Sequence, residues 1–425
     1  MTANPTADAT ATTAGAATGT AAYPAYPLLT PEDVPGHLRS RGLLHLLGVA
    51  GPGELTVREV SDGNLNRIFL VRRAADPDAP GLAVKQALPY VRVHGESWPF
   101  TPFRAAAEAR AYRYLSRITP EFVPAFHDYD PDTFTLVLED VGHLRVLRGA
   151  TIDGAPPGDV GRRIGAFVAR LSFATSDFGM PSVERKRLIA EAVNPELCEL
   201  TEAMILGEPY LEHEHNHNHP AIDPLAERLR ADRELRREIG GLRHTFMTKA
   251  EALLHGDLHT GSIMVAGPEP DARIAVIDPE FAFVGPIGFD LGLFWANALI
   301  AAVRADVLGD RDRAAEHAAQ VAASWEAFTG EFRRLWPSRV DTVFDDGFLE
   351  VFLAGVWRDG LGFAGGEAMR RVIGYAHVAD IDGLPDPEQG RAAERVALLA
   401  RELIVRRGGL GAPDEVAALA LGAAA

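Results

Sequence analysis

The sequence changes character near residue 150, and this change limits the folds open to the chain. Before that point, short runs rich in β-branched and aromatic residues alternate with polar turns, which is the pattern of an antiparallel sheet. Four runs predict strands: LTVREV at 55–60, RIFLVR at 67–72, GLAVKQAL at 81–88 and TFTLVLEDV at 133–141. One stretch of good helix formers, 103–117, lies between the third and fourth runs.

Beyond residue 150 the pattern is mostly helical, with two strand-like interruptions at 262–267 and 273–278. The predicted helices cover 159–175, 183–193, 195–206, 224–252, 311–334, 345–361, 367–380 and 387–407. We therefore expect an α+β, bilobal fold in which a small antiparallel β-sheet N-lobe precedes a large, mostly helical C-lobe, with a cleft between them. The expected boundaries are a disordered Ala/Thr-rich tail at 1–27, an N-terminal lobe at 28–141 and a C-terminal lobe at 142–425.

Charge and apolar content narrow the class of protein. The 425 residues include 59 acidic and 42 basic side chains, which gives a formal net charge of −17, and 47% are hydrophobic. Proteins that bind nucleic acid or an anionic membrane surface usually present a net basic face, so we expect neither partner. The longest nearly apolar stretch, Leu291–Val303, contains Asn297 and is shorter than the roughly 20 residues of a membrane span.

Two further features bear on the compartment. Cys198 is the only cysteine, so the chain cannot form an internal disulfide, which is usual in a reducing intracellular environment. The first 26 residues lack the basic start and the long apolar run of a signal peptide. We therefore expect a cytoplasmic protein.

The densest group of reactive residues is the run HGDLHTGSIMV at 255–265. Its Asp257 lies in a loop between an apolar pair and a predicted strand, and Asp278 follows 21 residues later, ahead of Pro279 and Glu280. Two acids on either side of a proline are able to face one cation, and carboxylate and phosphate oxygens are the ligands that Mg²⁺ takes. This pattern is typical of phosphoryl transfer: Asp257 would accept the proton of an attacking hydroxyl, and the later pair would hold the metal.

Other parts of a phosphoryl-transfer site occur in the expected order along the chain. The candidates for nucleotide binding are Asp62, Gly63 and Asn64 in a polar turn, Lys85 on the third strand, Glu108 in the first helix, and Glu139, Asp140 and Val141 at the end of the fourth strand. The turn would cover the phosphates, the lysine would contact them with the glutamate as its partner, and the strand end would bind adenine. Each of these residues, taken alone, could equally have a structural role or lie in solvent. Their occurrence together in this order favours a kinase-type site.

Several longer runs resemble one family. HGDLHTGSIMV and VIDPEFAFVGPIGFDLG, together with EVSDGNLNRIFLV, VKQALPYVRVHGESWP, NPELCELTEAMILGEPY and GFAGGEAMRRVIGYAHVADI, resemble the methylthioribose kinases, in the aminoglycoside-phosphotransferase-like branch of the protein-kinase fold. The resemblance extends from about 55 to 405. General sugar and antibiotic kinases of this fold do not ordinarily share GESWP, TGS or DPEF.

The resemblance implies a reaction and its cofactors. ATP would phosphorylate the anomeric 1-hydroxyl of 5-methylthioribose, with Mg²⁺, in methionine salvage, and the protein would form a homodimer. By matching motif, Asp257 would be the catalytic base that contacts the acceptor, Asp278 and Glu280 the metal ligands, and Lys85 the contact to the ATP phosphates. The N-terminal lobe would bind the nucleotide, and the C-terminal lobe would carry catalysis and the substrate.

Three more positions come from the resemblance. Trp98 lies in the GESWP run that would close on the nucleotide and substrate, and Arg370 and Arg371 would supply positive charge to the substrate side of the cleft. Trp98 could equally be a packing aromatic. The two arginines could instead lie on a solvated helix face, and adjacent helical residues need not both point into the cleft.

The chain departs from protein kinases at Ser262, which stands five residues after Asp257 where those enzymes place asparagine as a second metal ligand. A serine hydroxyl is a weaker ligand, so a second metal here is doubtful; the methylthioribose kinases also carry serine at this position.

The run EHEHNHNH at 212–219 lies outside the resemblance. Its alternate histidines would suit a metal if the segment is extended, although a solvated loop is the favoured interpretation.

Three rival functions remain open. The chain could phosphorylate another small molecule, such as a sugar, choline or an aminoglycoside. It could be a nucleotide-binding pseudokinase, although Lys85, Asp257 and Asp278 are intact. It could be a metal-dependent hydrolase that uses His255 and His259 together with the two aspartates, and the N-terminal lobe would then have no role.

Overall fold

The first part of the chain forms a five-stranded antiparallel sheet. The computed structural model describes residues 23–60, 65–92, 97–269 and 271–422. The strands are β1 (Leu55–Val60), β2 (Asn66–Arg73), β3 (Leu82–Ala87), β4 (Phe126–Asp130) and β5 (Thr135–Glu139). Their order is β1-β2-β3-β5-β4. The predicted hairpin of β1 and β2 is present, and β4, a mostly polar strand, adds to the predicted set.

Both faces of this sheet are covered, because side chains alternate along a strand. Val137 of β5 packs against the N-terminal segment that contains helix α1 (Val34–Ser40). Its neighbour Leu136 faces the other way, into the core that includes helix α2 (Arg104–Ile118). Lys85 in β3 lies directly opposite Leu136. The lysine side chain is thereby directed to the α2 side of the sheet.

The second part of the chain is mostly helical. Its helices are α3 (Leu147–Ile152), α4 (Val160–Thr175), α5 (Ser182–Glu191), α6 (Pro195–Met204), α7 (Asp223–Ala231), α8 (Arg233–Thr248), α9 (Gly288–Val307), α10 (Arg311–Leu335), α11 (Asp346–Ile373), α12 (Ala379–Asp382), α13 (Glu388–Arg406) and α14 (Pro413–Ala420). Its short strands are β6 (Arg145–Val146), β7 (Ala252–Leu253), β8 (Ile263–Val265), β9 (Ile274–Val276) and β10 (Val284–Gly285). Short 3-10 helices cover Leu44–Leu47, Pro52–Glu54, Pro120–Phe122, Glu208–Tyr210, Pro220–Ile222, Pro279–Phe281 and Trp336–Ser338.

These elements confirm the expected α+β class with a small antiparallel sheet followed by a large helical part. Strands β6, β8 and β9 form a small second sheet, and β7 pairs with β10. These short strands frame the loop at 254–262. The lobe boundaries, 28–141 and 142–425, stay a prediction, as does the disordered tail at 1–27, of which 1–22 lie outside the described residues. Within the described ranges, no helix combines the length and the apolar character that crossing a bilayer requires.

Two predictions of helices were wrong, and both errors have a physical reason. Where two helices were expected at 345–361 and 367–380, the single helix α11 runs for 28 residues. Gly360 lets α11 approach α9, because a Cβ there would lie 2.6 Å from the Trp295 ring. Gly365, in the predicted gap, lets it approach α13, because a Cβ there would lie 2.6 Å from the Ala400 carbonyl oxygen. Conversely, the single helix expected at 224–252 is divided at Asp232, whose carboxylate caps α8 by accepting two backbone N–H groups.

Candidate active site

A loop between β7 and β8 carries Asp257, and the start of α9 holds this loop in place. The carboxylate of Asp290, in the first turn of α9, accepts the backbone N–H groups of His255 at 2.7 Å and Gly256 at 2.9 Å. Gly256 has φ of +83° and lies against the Phe281 backbone, so a side chain would not fit there. Asp290 was not among the predicted site residues, although it stands in the run GFDLG.

His259 is the polar neighbour of Asp257. Its Nδ1 accepts the Gly261 N–H at 3.0 Å, which leaves the proton on Nε2, and Nε2 lies 3.5 Å from Oδ2 of Asp257. Burial lowers the pKa of His259 to about 4, so the ring is neutral near pH 7. The Ser262 hydroxyl lies 3.3 Å from the same Nδ1 atom, which accounts for Ser262 without a second metal.

His255 does not act as a metal ligand in this arrangement. Its Nδ1 accepts the Asp257 N–H at 3.2 Å, and its Nε2 lies 2.9 Å from the Ile277 carbonyl oxygen. Both ring nitrogens are thus engaged by the backbone. This occupancy argues against the metal-dependent hydrolase, in which His255 would bind the metal.

Lys85 lies between two carboxylates. One belongs to Glu108, its predicted partner, and the other to Asp278. Its Nζ lies 2.8 Å from Oε1 of Glu108 and 2.7 Å from Oδ1 of Asp278. Burial alone would lower the pKa of Lys85, but the two carboxylates outweigh it and hold that pKa well above its usual range. Burial also raises the pKa of Glu108 against the opposing effect of Lys85. The lysine side chain is 4% exposed and that of Asp278 is 42% exposed, so Asp278 is the member that reaches the solvent.

The Asp-Pro-Glu turn brings both of its acids to this cluster. Asp278 has φ of +61° and ψ of 49°, a left-handed conformation that is costly for a residue with a Cβ. Burial would raise the pKa of Asp278, but Lys85 outweighs it and holds the pKa below its usual range. Oε2 of Glu280 accepts the Asn66 amide at 3.0 Å and the Arg104 Nε–H at 3.2 Å.

Arg104 and Asn66 were not predicted as site residues. Arg104 is fully buried, and it also donates to the carbonyl oxygens of Leu65, Leu88 and Thr101. It therefore ties the start of α2 to the end of the polar turn before β2. The predicted phosphate-covering residues Asp62, Gly63 and Asn64 lie outside the described residues, as do Gly95 and Glu96 of the GESWP run.

A cavity of about 330 Å³ opens beside Asp257. The predicted residues Asp257, Trp98, Arg370 and Arg371 all line it. The remaining walls are mostly apolar and come from Leu65, Val91, Phe100, Leu200, Thr201, Met204, Ile205, Gly256, His259, Phe281, Tyr375 and Ala376. Both arginines of α11 thus reach the same space as the catalytic loop.

Glu367 fixes the two arginines, and it was not predicted. Its Oε2 lies 2.5 Å from Nε of Arg370 and its Oε1 lies 2.7 Å from Nε of Arg371. Burial would raise the pKa of Glu367, but the two guanidinium groups hold it well below its usual range. Burial, with a contribution from Arg370, lowers the pKa of Arg371 to about 10, so this side chain stays charged near pH 7. The i−3 and i−4 spacing of Glu367 was a signal that the sequence contained.

The predicted hinge residues connect the two parts of the chain. Glu139 makes two hydrogen bonds of 2.7 Å with Arg273 of the helical part, and Asp140 accepts from Arg72 of β2 at 2.8 Å. Val141 belongs to a small apolar cluster with Leu144, Ala275, Met264 and Ile277. The side chains of Glu139 and Asp140 are thus engaged in ion pairs, and their backbone N–H groups donate to the carbonyl oxygens of Ala125 and Gly81. The remaining backbone groups of the segment are the candidates for binding a base.

Comparison with known proteins finds a matching family, curated relatives and solved structures. Residues 56–336 match the phosphotransferase enzyme family. A methylthioribose kinase of Geobacillus kaustophilus (strain HTA426) is 42% identical over 356 residues, which cover 83% of this chain and 87% of that protein. One of Pectobacterium atrosepticum is 38% identical over 391 residues, covering 89% and 94%. A solved choline kinase from Cryptosporidium parvum Iowa II is 13% identical, with a TM-score of 0.46, covering 89% of this chain and 97% of that one.

Proposed function

This chain belongs to the methylthioribose kinases within the phosphotransferase enzyme family, and from that membership we propose the reaction of its cleft. The γ-phosphoryl group of ATP passes to the 1-hydroxyl of 5-methylthioribose, which gives 5-methylthioribose 1-phosphate and ADP for methionine salvage. One observation carries the proposal: Asp257 and the two arginines of α11 line a single cavity, in a chain that also holds a buried lysine between two carboxylates.

The acidic cluster around Lys85 is proposed to receive the nucleotide phosphates and Mg²⁺. The carboxylates of Asp278 and Glu280 fit the preference of Mg²⁺ for oxygen ligands, and the 42% exposure of the Asp278 side chain leaves it accessible. When bound, the metal neutralises charge on the phosphates. Lys85 would exchange part of its contact with Asp278 for phosphate oxygens. Glu108 would keep the Lys85 ammonium group oriented.

The adenine ring is proposed to lie against the hinge. Backbone groups of Glu139–Val141 would bind its edge, because the acidic side chains there are engaged by Arg273 and Arg72. Met264 and Ile277 are partly buried members of the apolar cluster around Val141. They would offer the flat apolar surface on which an aromatic base packs.

At the other end, Asp257 is proposed to accept the proton of the acceptor hydroxyl. An anomeric hydroxyl is more acidic than an ordinary alcohol, so a carboxylate suffices as a base, and such a base contributes about 10²–10⁴-fold to the rate. Nε2 of neutral His259 lies 3.5 Å from Oδ2 of Asp257 and would help to orient the carboxylate. Arg370 and Arg371 would stabilise the charge that builds on the transferring group, which planar guanidinium groups suit.

The apolar wall of the cavity supports an acceptor with a methylthio group. Leu200, Met204 and Ile205 line the same cavity as the charged residues, and a thioether gains from apolar burial where a hydroxyl loses. A free ribose, choline or a polycationic aminoglycoside would fit this mixture of apolar and cationic walls less well. From the family we also infer a cytoplasmic homodimer. Light scattering after gel filtration tests the dimeric state.

A coupled assay of ADP release with Mg·ATP tests the function. We expect turnover with 5-methylthioribose and little with ribose, choline or kanamycin. Turnover with one of the other acceptors would retain the phosphoryl-transfer roles and move the substrate to another small molecule. ATP binding without turnover on any acceptor would favour a pseudokinase.

A further inference from the structure

The histidine-rich loop lies at the rim of the proposed acceptor cavity and contains a compact group of three ligand side chains. Glu208, His213 and His215 place one carboxylate oxygen and two imidazole nitrogens within 4.8 Å of one another. Glu208 lies in the 3-10 helix Glu208–Tyr210, and the histidines follow in the loop. Among the described residues, this is the one set of three or more His, Cys, Asp or Glu side chains whose ligand atoms lie this close together.

Two of the three separations among these atoms fit a tetrahedral transition-metal site. Oε2 of Glu208 lies 3.0 Å from Nδ1 of His215 and 3.5 Å from Nδ1 of His213. Nδ1 of His213 also accepts the His215 N–H at 3.3 Å, a long hydrogen bond that the ion would displace. Ligand atoms that each lie about 2.0–2.1 Å from a tetrahedral Zn²⁺ are separated from one another by roughly 3.3 Å. Two imidazoles and one carboxylate are a common ligand set for this ion, with water in the fourth position.

The loop is held in shape before any ion binds. The side-chain amide of Asn216 donates to the carbonyl oxygens of Glu208 at 2.7 Å and Leu211 at 2.9 Å. The Asn216 N–H also donates to the His213 carbonyl oxygen at 3.1 Å. The resulting turn brings the rings of His213 and His215 to a centroid distance of 4.5 Å. An extended segment, the condition considered from the sequence, is therefore unnecessary, because the turn itself brings the ligands together.

The same group contacts two residues that line the cavity. The His215 ring stacks on Trp98 at a centroid distance of 5.6 Å and lies 5.2 Å from the Tyr375 ring. His217, two residues on, belongs to a different contact: its ring stacks on His377 at 3.9 Å. The four histidines of the loop thus divide into a ligand pair beside Glu208 and two others, His217 against the rings of His377 and Tyr375 and His219 beside Asp386.

We infer that Glu208, His213 and His215 form a binding site for a transition-metal ion of the Zn²⁺ class, distinct from the proposed Mg²⁺ position. The ion would take the place of the direct contact between Oε2 of Glu208 and Nδ1 of His215 and would fix the ring on which Trp98 stacks. The site is a property of these three residues and does not depend on which acceptor the cavity takes. Mg²⁺, which takes oxygen ligands, would not compete for it.

The test is metal binding by the full-length chain without an affinity tag. The protein is dialysed against micromolar Zn²⁺ with millimolar Mg²⁺, and bound zinc is counted by mass spectrometry and its affinity measured by competition with a chromogenic chelator. We expect one Zn²⁺ for each chain. His213→Asn and Glu208→Gln should each weaken binding by at least about tenfold. Circular dichroism and thermal unfolding of each variant establish that it is folded.

His217→Asn is the matched control, since it makes the same substitution in the same loop outside the ligand set. It should retain the wild-type affinity. Absence of bound zinc in the wild-type chain would overturn the inference. Loss of affinity in His217→Asn equal to that in His213→Asn would also overturn it, because it would show diffuse binding along the histidine run.

Discussion

The two ends of the cleft differ in how many carboxylates accompany their cations. At the proposed nucleotide end, the carboxylates of Glu108, Asp278 and Glu280 share the two cations Lys85 and Arg104. At the proposed acceptor end, the single buried carboxylate of Glu367 holds both Arg370 and Arg371. With Asp257 included, the acceptor end has two carboxylates for two cations. The nucleotide end has three carboxylates for two cations and is therefore arranged to receive a further cation.

This difference fits the needs of a group that travels between the two ends. The phosphoryl group departs from a nucleotide that must be neutralised, and it arrives where negative charge builds on the acceptor side. Each end fixes its charges through buried partners, so neither has to reorganise during the reaction. The two ends should consequently fail in different ways when a charge is removed.

The largest effect is expected at the acceptor end, from Asp257→Asn. Loss of the base should lower kcat by about 10²–10⁴-fold, while the affinity for ATP, which depends on the other end, stays near the wild-type value. Coupled ADP release gives kcat and calorimetry gives the ATP affinity. Activity close to that of the wild type would remove Asp257 from the base role.

The next largest effect should be on stability, from Glu367→Gln. It leaves two buried guanidinium groups without their carboxylate, and breaking a buried ion pair costs about 3–5 kcal/mol in the free energy of unfolding. The control is Glu331→Gln: Glu331 also binds two arginines, Arg170 and Arg334, but nearer the surface, where such pairs contribute about 0–1 kcal/mol. Urea unfolding measures both. Equal losses would show that burial of Glu367 does not govern its contribution.

At the nucleotide end, Glu280→Gln should raise the Mg²⁺ concentration needed for half-maximal activity by about tenfold, equivalent to about 1.4 kcal/mol. Glutamine keeps an acceptor oxygen for Asn66 and Arg104, so the fold should persist. Glu350→Gln, at an exposed pair with Arg333, serves as the control without effect. An unchanged Mg²⁺ requirement would assign Glu280 to holding Arg104 alone.

The smallest effect concerns pH and tests the neutral state of His259. Its pKa lies at about 4 against an ordinary value of 6.5, so between these values the unfolded chain binds a proton that the folded chain does not. The free energy of unfolding should therefore fall as the pH falls through this window, by up to about 1.4 kcal/mol per pH unit for one group. His259→Gln should flatten that slope in urea unfolding measured across the window.

His317 provides the comparison for this measurement. Burial lowers its pKa to about 4 as well, although it lies away from Asp257, so His317→Gln should flatten the slope by a similar amount. A wild-type slope in His259→Gln together with a flattened one in His317→Gln would show that His259 is protonated beside Asp257 in the folded chain.

The sequence predicted those parts of the site whose spacing is local or whose order is fixed. Lys85 and Glu108 were predicted as partners and lie 2.8 Å apart. Arg104 and Asn66 carried no local signal, because they meet Glu280 across 176 and 214 residues of chain. Asp290 and Glu367 stood inside runs that were recognised, and their roles required knowing which backbone N–H groups and guanidinium groups face them.

The same division holds for the fold. Strands with alternating faces, such as β5, and helices with a polar face were predicted well. Helix α9 was not among the predicted helices, since it is buried all round and shows no amphipathic period. The gap between the two helices expected at 345–361 and 367–380 is rich in glycine, and in the structure Gly362 and Gly365 lie within α11, where they permit close contact with α8 and α13. Tertiary contact decided these cases.

Because α11 is one continuous helix, it fixes the distance and the angle about its axis between Gly360, where it contacts α9, and the arginine pair. Each helical residue adds about 1.5 Å along the helix axis and turns the chain by about 100° about that axis. Insertion or deletion of one residue between Gly360 and Glu367 would therefore swing Arg370 and Arg371 out of the cavity, even if every side chain were retained. Over this stretch, the number of residues is under stricter constraint than their identity.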